Sequence, residues 1–425
     1  MKRKTRKAGI ILCAMLAEVL WSWTPSEASP ENVLSLEDCI AIAISAHPSL
    51  RQARALTREQ EFRLESLRVN DRATLDGGAS YGYSRTSLSG SDRSYSAGVS
   101  GSKMIYDGGK NRLSKTAQKI SILQAGESEA DTLLSVTCGV ENAYYRLLLN
   151  QKNLEVAQDQ LRNLEDHLRT AQGYYEVGSR PRIDVTKAEV DVASARVAVL
   201  KAEADVRLAD ENLLVSMGSV NLKPFGLSTV LDAPVVSVDL ESATQIALEA
   251  RPDYRKAQLE LEAARVRVQT AARATAPTLS ATAGGSYSGR EFPLEDSLSA
   301  GLRLDFPIFD GGASAASISI ARAQFSQSEA SLDGLTQSIV YEVRQAIVDL
   351  ENARQRIRSA EEAVQYAQEN LDLAQGRYST GVGSPIEISD AVSALSQALF
   401  TRYQTLYDAR VAAVALEEAT GGAVR

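Results

Sequence analysis

Two hydrophobic periods alternate along this chain, and the alternation occurs twice. Over 110–174 apolar residues return every three or four positions, and the run ends in a heptad seam of Leu154, Ala157, Leu161, Leu164, Leu168, Ala171 and Tyr175. The stretch 313–377 ends likewise, through Ile357, Ala360, Val364, Ala367, Leu371, Ala374 and Tyr378. The segment after the first run answers with Val185, Ala188, Val192, Ala195, Val199, Ala202, Val206 and Ala209. Sustained heptads predict helices wound left-handedly about each other, and the many seam alanines allow close approach. Before each long helical run the period drops to two, which predicts strands over 75–84, 94–102, 279–288 and 298–308.

The strands carry one apolar or aromatic face and one small, polar face. Leu75, Gly77, Ala79, Tyr81 and Tyr83 alternate with Asp76, Gly78, Ser80, Gly82 and Ser84. This pattern suits a half-buried soluble sheet. It equally suits a membrane barrel with lipid outside and water inside. Four strands cannot close a spanning barrel, which takes at least about eight, and lipid does not tolerate an open edge. A spanning reading therefore requires several chains to share one barrel, and three chains would supply twelve strands. The pattern alone leaves both readings open.

A short loop joins each long helix to the next. The first contains Tyr175, Val177, Gly178, Arg180 and Asp184; the second contains Tyr378, Gly381, Val382, Gly383 and Glu387. Glycine ends the incoming helix and proline restricts the start of the outgoing one, so each loop is read as the tip of a helical hairpin. These landmarks belong to a longer repeat. Leu36 to Pro48 recurs as Leu240 to Pro252, Tyr106-Asp107-Gly108-Gly109 recurs as Phe309-Asp310-Gly311-Gly312, and Met217-Gly218 matches Thr420-Gly421, all at a shift of 203 or 204 residues. Ordered landmarks at one shift indicate a duplication. The expected units are 29–220 and 238–425, joined by 221–237, which holds Pro224, Gly226 and Pro234. As single helices, 110–174 and 313–377 would each be about 97 Å long, roughly matched by 48–74 with 184–217 and by 252–274 with 386–421 laid end to end. Those are the proportions of a tube wall.

Composition narrows the function. Residues 1–28 read as a cleavable signal peptide: a basic start, an apolar run from Ala8 to Trp23, and Ser26-Glu27-Ala28 as the cleavage site. Cys13 falls within it. The leader takes five basic and two acidic residues with it, leaving 41 basic against 52 acidic, a net charge of −11. Nothing in that balance favours nucleic acid. The remaining Cys39 and Cys138 are read as buried small apolar residues, because their spacing fits no disulfide framework. His47 and His167 are far apart and are read as surface or packing residues. No metal-ligand spacing, phosphate loop or nucleophile elbow occurs, so an enzyme is not expected and no cofactor is implied.

In this setting the chain resembles the TolC family of outer-membrane channel proteins. The resemblance rests on Leu36, Ala41 and Ala46-His47-Pro48, on Phe306-Pro307-Ile308-Phe309-Asp310-Gly311-Gly312, on the two tips and on the duplication, and covers about 34–421. It implies a mainly α fold with a β-barrel portion: paired helical hairpins forming a coiled-coil tunnel, and four strands per chain within a shared 12-stranded barrel. It implies a homotrimer in outer-membrane lipid of a Gram-negative cell, with a large periplasmic part. The implied work is that of a passive exit duct for a tripartite efflux pump or type I secretion system. The implied partners are a periplasmic adaptor protein and an inner-membrane pump or ABC transporter, which would supply the energy.

The resemblance also assigns roles at the tips. Glu387 and Asp390, with Asp184, would form an acidic constriction. Family gates are held shut by tyrosine and arginine contacts between hairpins; Tyr378 and Asp184 would fit that pattern, and Tyr175 is grouped with them at the gate. The arginine expected in the second loop is missing, with Gly383 in its place, and Arg180 or Arg182 of the first loop would substitute. Val177, Gly178, Gly381 and Val382 would dock the adaptor. Two plainer roles compete: Asp184 and Glu387 also complement a helix dipole, and both tyrosines also continue heptad seams. The rival functions are a periplasmic adaptor, which carries one hairpin rather than two, and a structural coiled-coil envelope protein, which needs no alternating strands.

Overall fold

The structure, a computed structural model, describes residues 32–86, 90–219, 225–234 and 239–424. The leader read in 1–28 lies outside the described residues, as do 221–224 and 235–237 of the joining segment. In chain order the elements are β1 (Asn32–Leu34), α1 (Leu36–Ala46), α2 (Pro48–Val69), β2 (Thr74–Thr86), β3 (Gly90–Tyr106), α3 (Lys110–Glu176) and α4 (Arg182–Ser216), followed by β4 (Phe225–Leu227), α5 (Leu240–Ala250), α6 (Pro252–Ala271), β5 (Thr278–Gly289), β6 (Glu295–Asp305), α7 (Ala313–Ser379) and α8 (Pro385–Ala419). Both α3 and α7 have 67 residues, both α4 and α8 have 35, and both α1 and α5 have 11.

The repeated Asp-Gly-Gly explains how a strand becomes a long helix. Gly108 and Gly109 (φ 73 and 83) and Gly311 and Gly312 (φ 64 and 94) turn the chain through left-handed backbone that other residues rarely adopt. The preceding aspartate accepts hydrogen bonds from the amides that begin the helix. Gly109 N donates to Asp107 Oδ1 at 2.9 Å, and Gly312 N and Ser314 N donate to the two oxygens of Asp310 at 3.0 and 2.9 Å. A carboxylate there satisfies otherwise orphaned N–H groups and faces the positive end of the helix dipole.

The helices form one layer of four columns. The α2 and α4 column packs on α3; the α6 and α8 column packs on the other flank of α3; α7 lies beyond it. Small residues line these seams, among them Ala157, Ala171, Ala188 and Ala195 between α3 and α4, and Ala360, Ala374 and Ala391 between α7 and α8, all buried. The two outer columns keep exposed apolar stripes. Val190, Val197, Leu208 and Val215 lie along α4, and Tyr341, Val348, Tyr366 and Leu373 along α7, at spacings that keep each set on one helix face.

At one end of the layer stands a four-stranded antiparallel sheet in the order β2-β3-β5-β6. Its register joins the apolar positions into one continuous face: Tyr81 lies opposite Tyr95, Ala97 opposite Tyr287, Gly285 opposite Leu298 and Ala281 opposite Leu302. Serines and glycines predominate on the other face, together with Asp76, Arg303 and Asp305, and there Ser80 and Ser96 are hydrogen-bonded at 2.8 Å. Among the described residues, β2 and β6 each leave one edge unpaired.

Several expected boundaries move. The helix expected over 48–74 stops at Val69 and that over 252–274 at Ala271. Asp71 turns away to Lys115 and Asn111, and Pro277 keeps Ala276 out of helical backbone. The strand expected over 298–308 runs instead from Glu295 to Asp305, because Pro307 cannot donate to the ladder. The parallel β1–β4 pair has no counterpart in the sequence reading. It ties the segment before α1 to the segment between the repeats.

Candidate functional site

The hairpin tips bring together residues that lie about 200 positions apart. At each tip a left-handed glycine ends the long helix, with Gly178 at φ 75 and Gly381 at φ 81. The turns are closed by Ser179 N to Tyr174 O at 2.9 Å and by Val382 N to Arg377 O at 3.1 Å. Pro181 then caps α4 and Pro385 opens α8. Val177 and Val382 stand at the extremities, 76% and 73% exposed.

Between the tips lies a clasp. Arg180 of the first turn donates to the carbonyl oxygens of Gly381 and Gly383 at 3.3 and 3.1 Å. Its guanidinium lies 5.4 Å from the centre of the Tyr378 ring. Tyr378, only 2% exposed, meets Tyr174 and His167 edge-on at 5.6 and 5.2 Å between centroids. On the neighbouring faces Ser389 of α8 donates to Asp191 of α4. Beneath these contacts Leu164, Val192 and Ala195 of the first hairpin share a core with Leu371, Ile388 and Val392 of the second. Burial raises the Tyr378 phenol above its ordinary pKa, the nearby Arg180 opposes that shift, and Asp184 adds to it.

The sequence-derived positions distribute unevenly over this geometry. Arg180 and Tyr378 meet directly. Asp184 is half-buried close to them. Tyr175, the repeat equivalent of Tyr378, is 45% exposed and stands outside the clasp; Tyr174 takes the inward place. Glu387 accepts from Arg377 Nε at 3.1 Å, and that bond, with the Ser384 amide, holds its carboxyl below the usual range. Asp390 is exposed and forms no ion pair among the described residues. Gly383 sits under the end of α7, where an added Cβ would come within 2.8 Å of Tyr378 N. A larger residue there would force the turn apart, and the cation against the Tyr378 ring is Arg180 of the other hairpin. Asp191, Ser389 and Tyr174 were not singled out in the sequence; only their heptad neighbours drew attention.

The sheet end has its own chemistry. Tyr81, Tyr95 and Phe292 stack in series, with centroids 5.2 Å apart at each step. Tyr106, Phe306 and Phe309 are exposed at the opposite end. Eleven strand residues separate Tyr95 from Tyr106, about 36 Å at ~3.3 Å per residue. A barrel tilt of ~40° reduces this to about 28 Å, close to the ~25 Å apolar band between the aromatic girdles of a membrane barrel. Among the described residues no helix is long and apolar enough to cross a membrane.

A layer of very long paired helices carrying a lipid-suited sheet defines a channel-tunnel architecture. The chain belongs to the outer membrane efflux protein family: the family profile matches residues 39–219 and 243–422. It is 24% identical over 418 residues to the outer membrane efflux protein BepC of Brucella suis, covering 95% of this chain and 89% of BepC. It is 24% identical over 396 residues to the cation efflux system protein CusC of Escherichia coli strain K12, covering 90% and 85%. Among solved structures, CusC superposes with a TM-score of 0.80 at 22% identity, covering 91% of this chain and 92% of that one. VceC of Vibrio cholerae gives 0.75 at 20%, covering 91% and 96%. The protein is thus a passive outer-membrane efflux channel of a Gram-negative envelope, with a long periplasmic tunnel, and not an enzyme. Relatives include the toluene efflux pump outer membrane protein TtgC of Pseudomonas putida, 26% identical over 345 residues, covering 79% of this chain and 69% of TtgC.

Proposed function

We propose that three copies of this chain form one exit duct, open at the membrane and gated at the hairpin tips. The observation that carries this reading is the pair of unsatisfied borders. The free edges of β2 and β6 cannot face lipid unpaired, and joining them between three copies gives twelve strands, an even number within the range of membrane barrels. The same operation lays the exposed stripe of α7 against that of the α2 and α4 column of the next copy. Each unit of the duplication, 29–220 and 238–425, would supply one hairpin, with 221–237 crossing between them.

In the trimer the tips converge on the periplasmic opening. Asp390, Asp184 and Glu387 surround it with carboxylates and would favour cations. Asp390 carries most of that effect, since Arg377 already offsets the charge of Glu387. The exposed Val177, Gly178, Gly381 and Val382 provide small side chains and open backbone for the adaptor's helical hairpin. Cargo is chosen by the inner-membrane partner, since a shared exit lined mainly by small polar residues has few groups with which to discriminate.

Purified mature protein in detergent is expected to show the mass of three chains by light scattering. A well-folded monomer would contradict the shared barrel. In a planar bilayer under a salt gradient, Asp390→Asn is expected to lower cation preference more than Glu387→Gln. Equal effects would move the constriction away from Asp390.

A further inference from the structure

We propose that His167 is a proton sensor that releases the clasp between the two hairpins under mildly acidic conditions. His167 lies on α3 and is only 6% exposed, yet its Nδ1 has no hydrogen-bond partner. Its ring meets Tyr378 of the other hairpin at 5.2 Å between centroids and 66° between planes. The Tyr378 hydroxyl is likewise buried and unpartnered. Two polar atoms thus lie without partners at one contact between hairpins, where native packing usually satisfies both.

A neutral imidazole tolerates this place, because an unused acceptor nitrogen costs far less than a buried charge. A protonated one does not. It would bring a second N–H donor and a positive charge into the seam, with the Arg180 guanidinium already 5.4 Å from the Tyr378 ring centre. The charged groups that act on His167 are Asp191, Asp184 and Lys187 of α4, and α7 brings the phenol of Tyr378 against its ring. The carboxylates draw an imidazolium towards α4 and away from Tyr378. Asp191, however, is engaged by Ser389 of α8. Pairing Asp191 with a protonated His167 competes with that bond, and turning the ring towards Asp184 abandons the Tyr378 contact. Proton uptake and the clasp therefore oppose each other.

The sign follows from linkage. Burial places the His167 pKa in the clasped state below its ordinary value, the two aspartates offsetting part of the shift. With the tips apart, the ring reaches water and regains a value near 6.5. The clasp is fully favoured above that pH and weakens as pH falls through the ordinary value towards the depressed one. A trimer holds three such sites around one aperture.

This inference rests on the tips acting as the gate, and the test separates the two. Single-channel recordings on the mature trimer compare pH 7.5 with pH 5.5. Wild type is expected to gain at least about fivefold in open probability on acidification, the lower end of ordinary coupling between sites. His167→Phe, which keeps a ring but takes no proton, is expected to gain less than about 1.5-fold, since the coupling is absent. An undiminished acid response in His167→Phe would overturn the proposal. Arg180→Ala controls for the gate: if it fails to open the channel at pH 7.5, the gate reading is what falls. A second readout needs no variant of His167. The chain has two histidines, so ring-labelled protein with His47 assigned through His47→Gln gives a direct titration of His167. A midpoint below the ordinary value in the closed trimer, moving up in Arg180→Ala, is expected. An ordinary midpoint in the closed trimer would overturn the proposal.

Discussion

Arg180→Ala is expected to convert the tips from mostly shut to mostly open, raising single-channel open probability at neutral pH. Two hydrogen bonds leave with this side chain, both from a charged donor to carbonyl oxygens of the other hairpin, Gly381 O and Gly383 O. The cation over the Tyr378 ring leaves with them. Charge-assisted hydrogen bonds contribute about 1.5–3 kcal/mol each when well shielded, and an exposed cation–π contact about 0.5–1 kcal/mol. Arg180 is half-exposed, so a combined loss of roughly 2–3 kcal/mol per chain is reasonable. That corresponds to a shift of about 30- to 150-fold in the closed-to-open ratio. Arg180→Lys should fall between, because a point charge replaces the fork but cannot hold both carbonyls in one geometry. Planar-bilayer recordings check both variants. Openings unchanged in Arg180→Ala would mean that the closed state is held elsewhere.

Gly218→Ala and Gly421→Ala should be the most damaging small substitutions in the helical layer. Both residues sit in left-handed backbone, at φ 67 and 72. Both end a helix that abuts the turn between the two helices opening a repeat. A Cβ on Gly218 would lie 2.7 Å from His47 Cα, and one on Gly421 would lie 2.9 Å from the carbonyl carbon of Ala250. Left-handed strain costs about 1–2 kcal/mol for an ordinary residue. Displacing packed backbone adds about 1–3 kcal/mol. A loss of roughly 2–5 kcal/mol per site is expected, read as a fall in the melting temperature of the purified protein. Gly109→Ala separates the two terms. Its φ is 83 but a Cβ there meets nothing within 4 Å, so only the strain should appear. An effect at Gly109 as large as at Gly218 would remove the close-approach explanation.

These glycines also mark where the sequence speaks clearly. Helix length, tip position and strand register depend on local patterns, and the heptads, the Asp-Gly-Gly turns and the alternating strands set them. The expected 110–174 became Lys110–Glu176, and 313–377 became Ala313–Ser379. The clasp was harder to read. Tyr175 and Tyr378 are equivalent in the repeat, yet one is exposed and the other buried. Duplication copies local conformation but not surroundings: α7 turns that face towards the first hairpin, while α3 turns it outward. The bond between Ser389 and Asp191 spans 198 residues, and no local period reports such a pairing. Arg180 was legible only as one of two first-loop cations, with Arg182, that could replace the arginine absent at Gly383.

The most direct test is to prevent the hairpins from separating. Cysteines at Asp191 and Ser389, bridged by a short reducible dithiol crosslinker, would join α4 to α8 across the clasp. Cys39 and Cys138 are buried and free, so they offer little background reaction. The crosslinked protein is expected to insert into a planar bilayer but to remain shut, and to recover conductance when the bridge is reduced. Full conductance with the bridge shown to be intact would mean that cargo does not pass between these tips, and the gated-duct mechanism would be wrong.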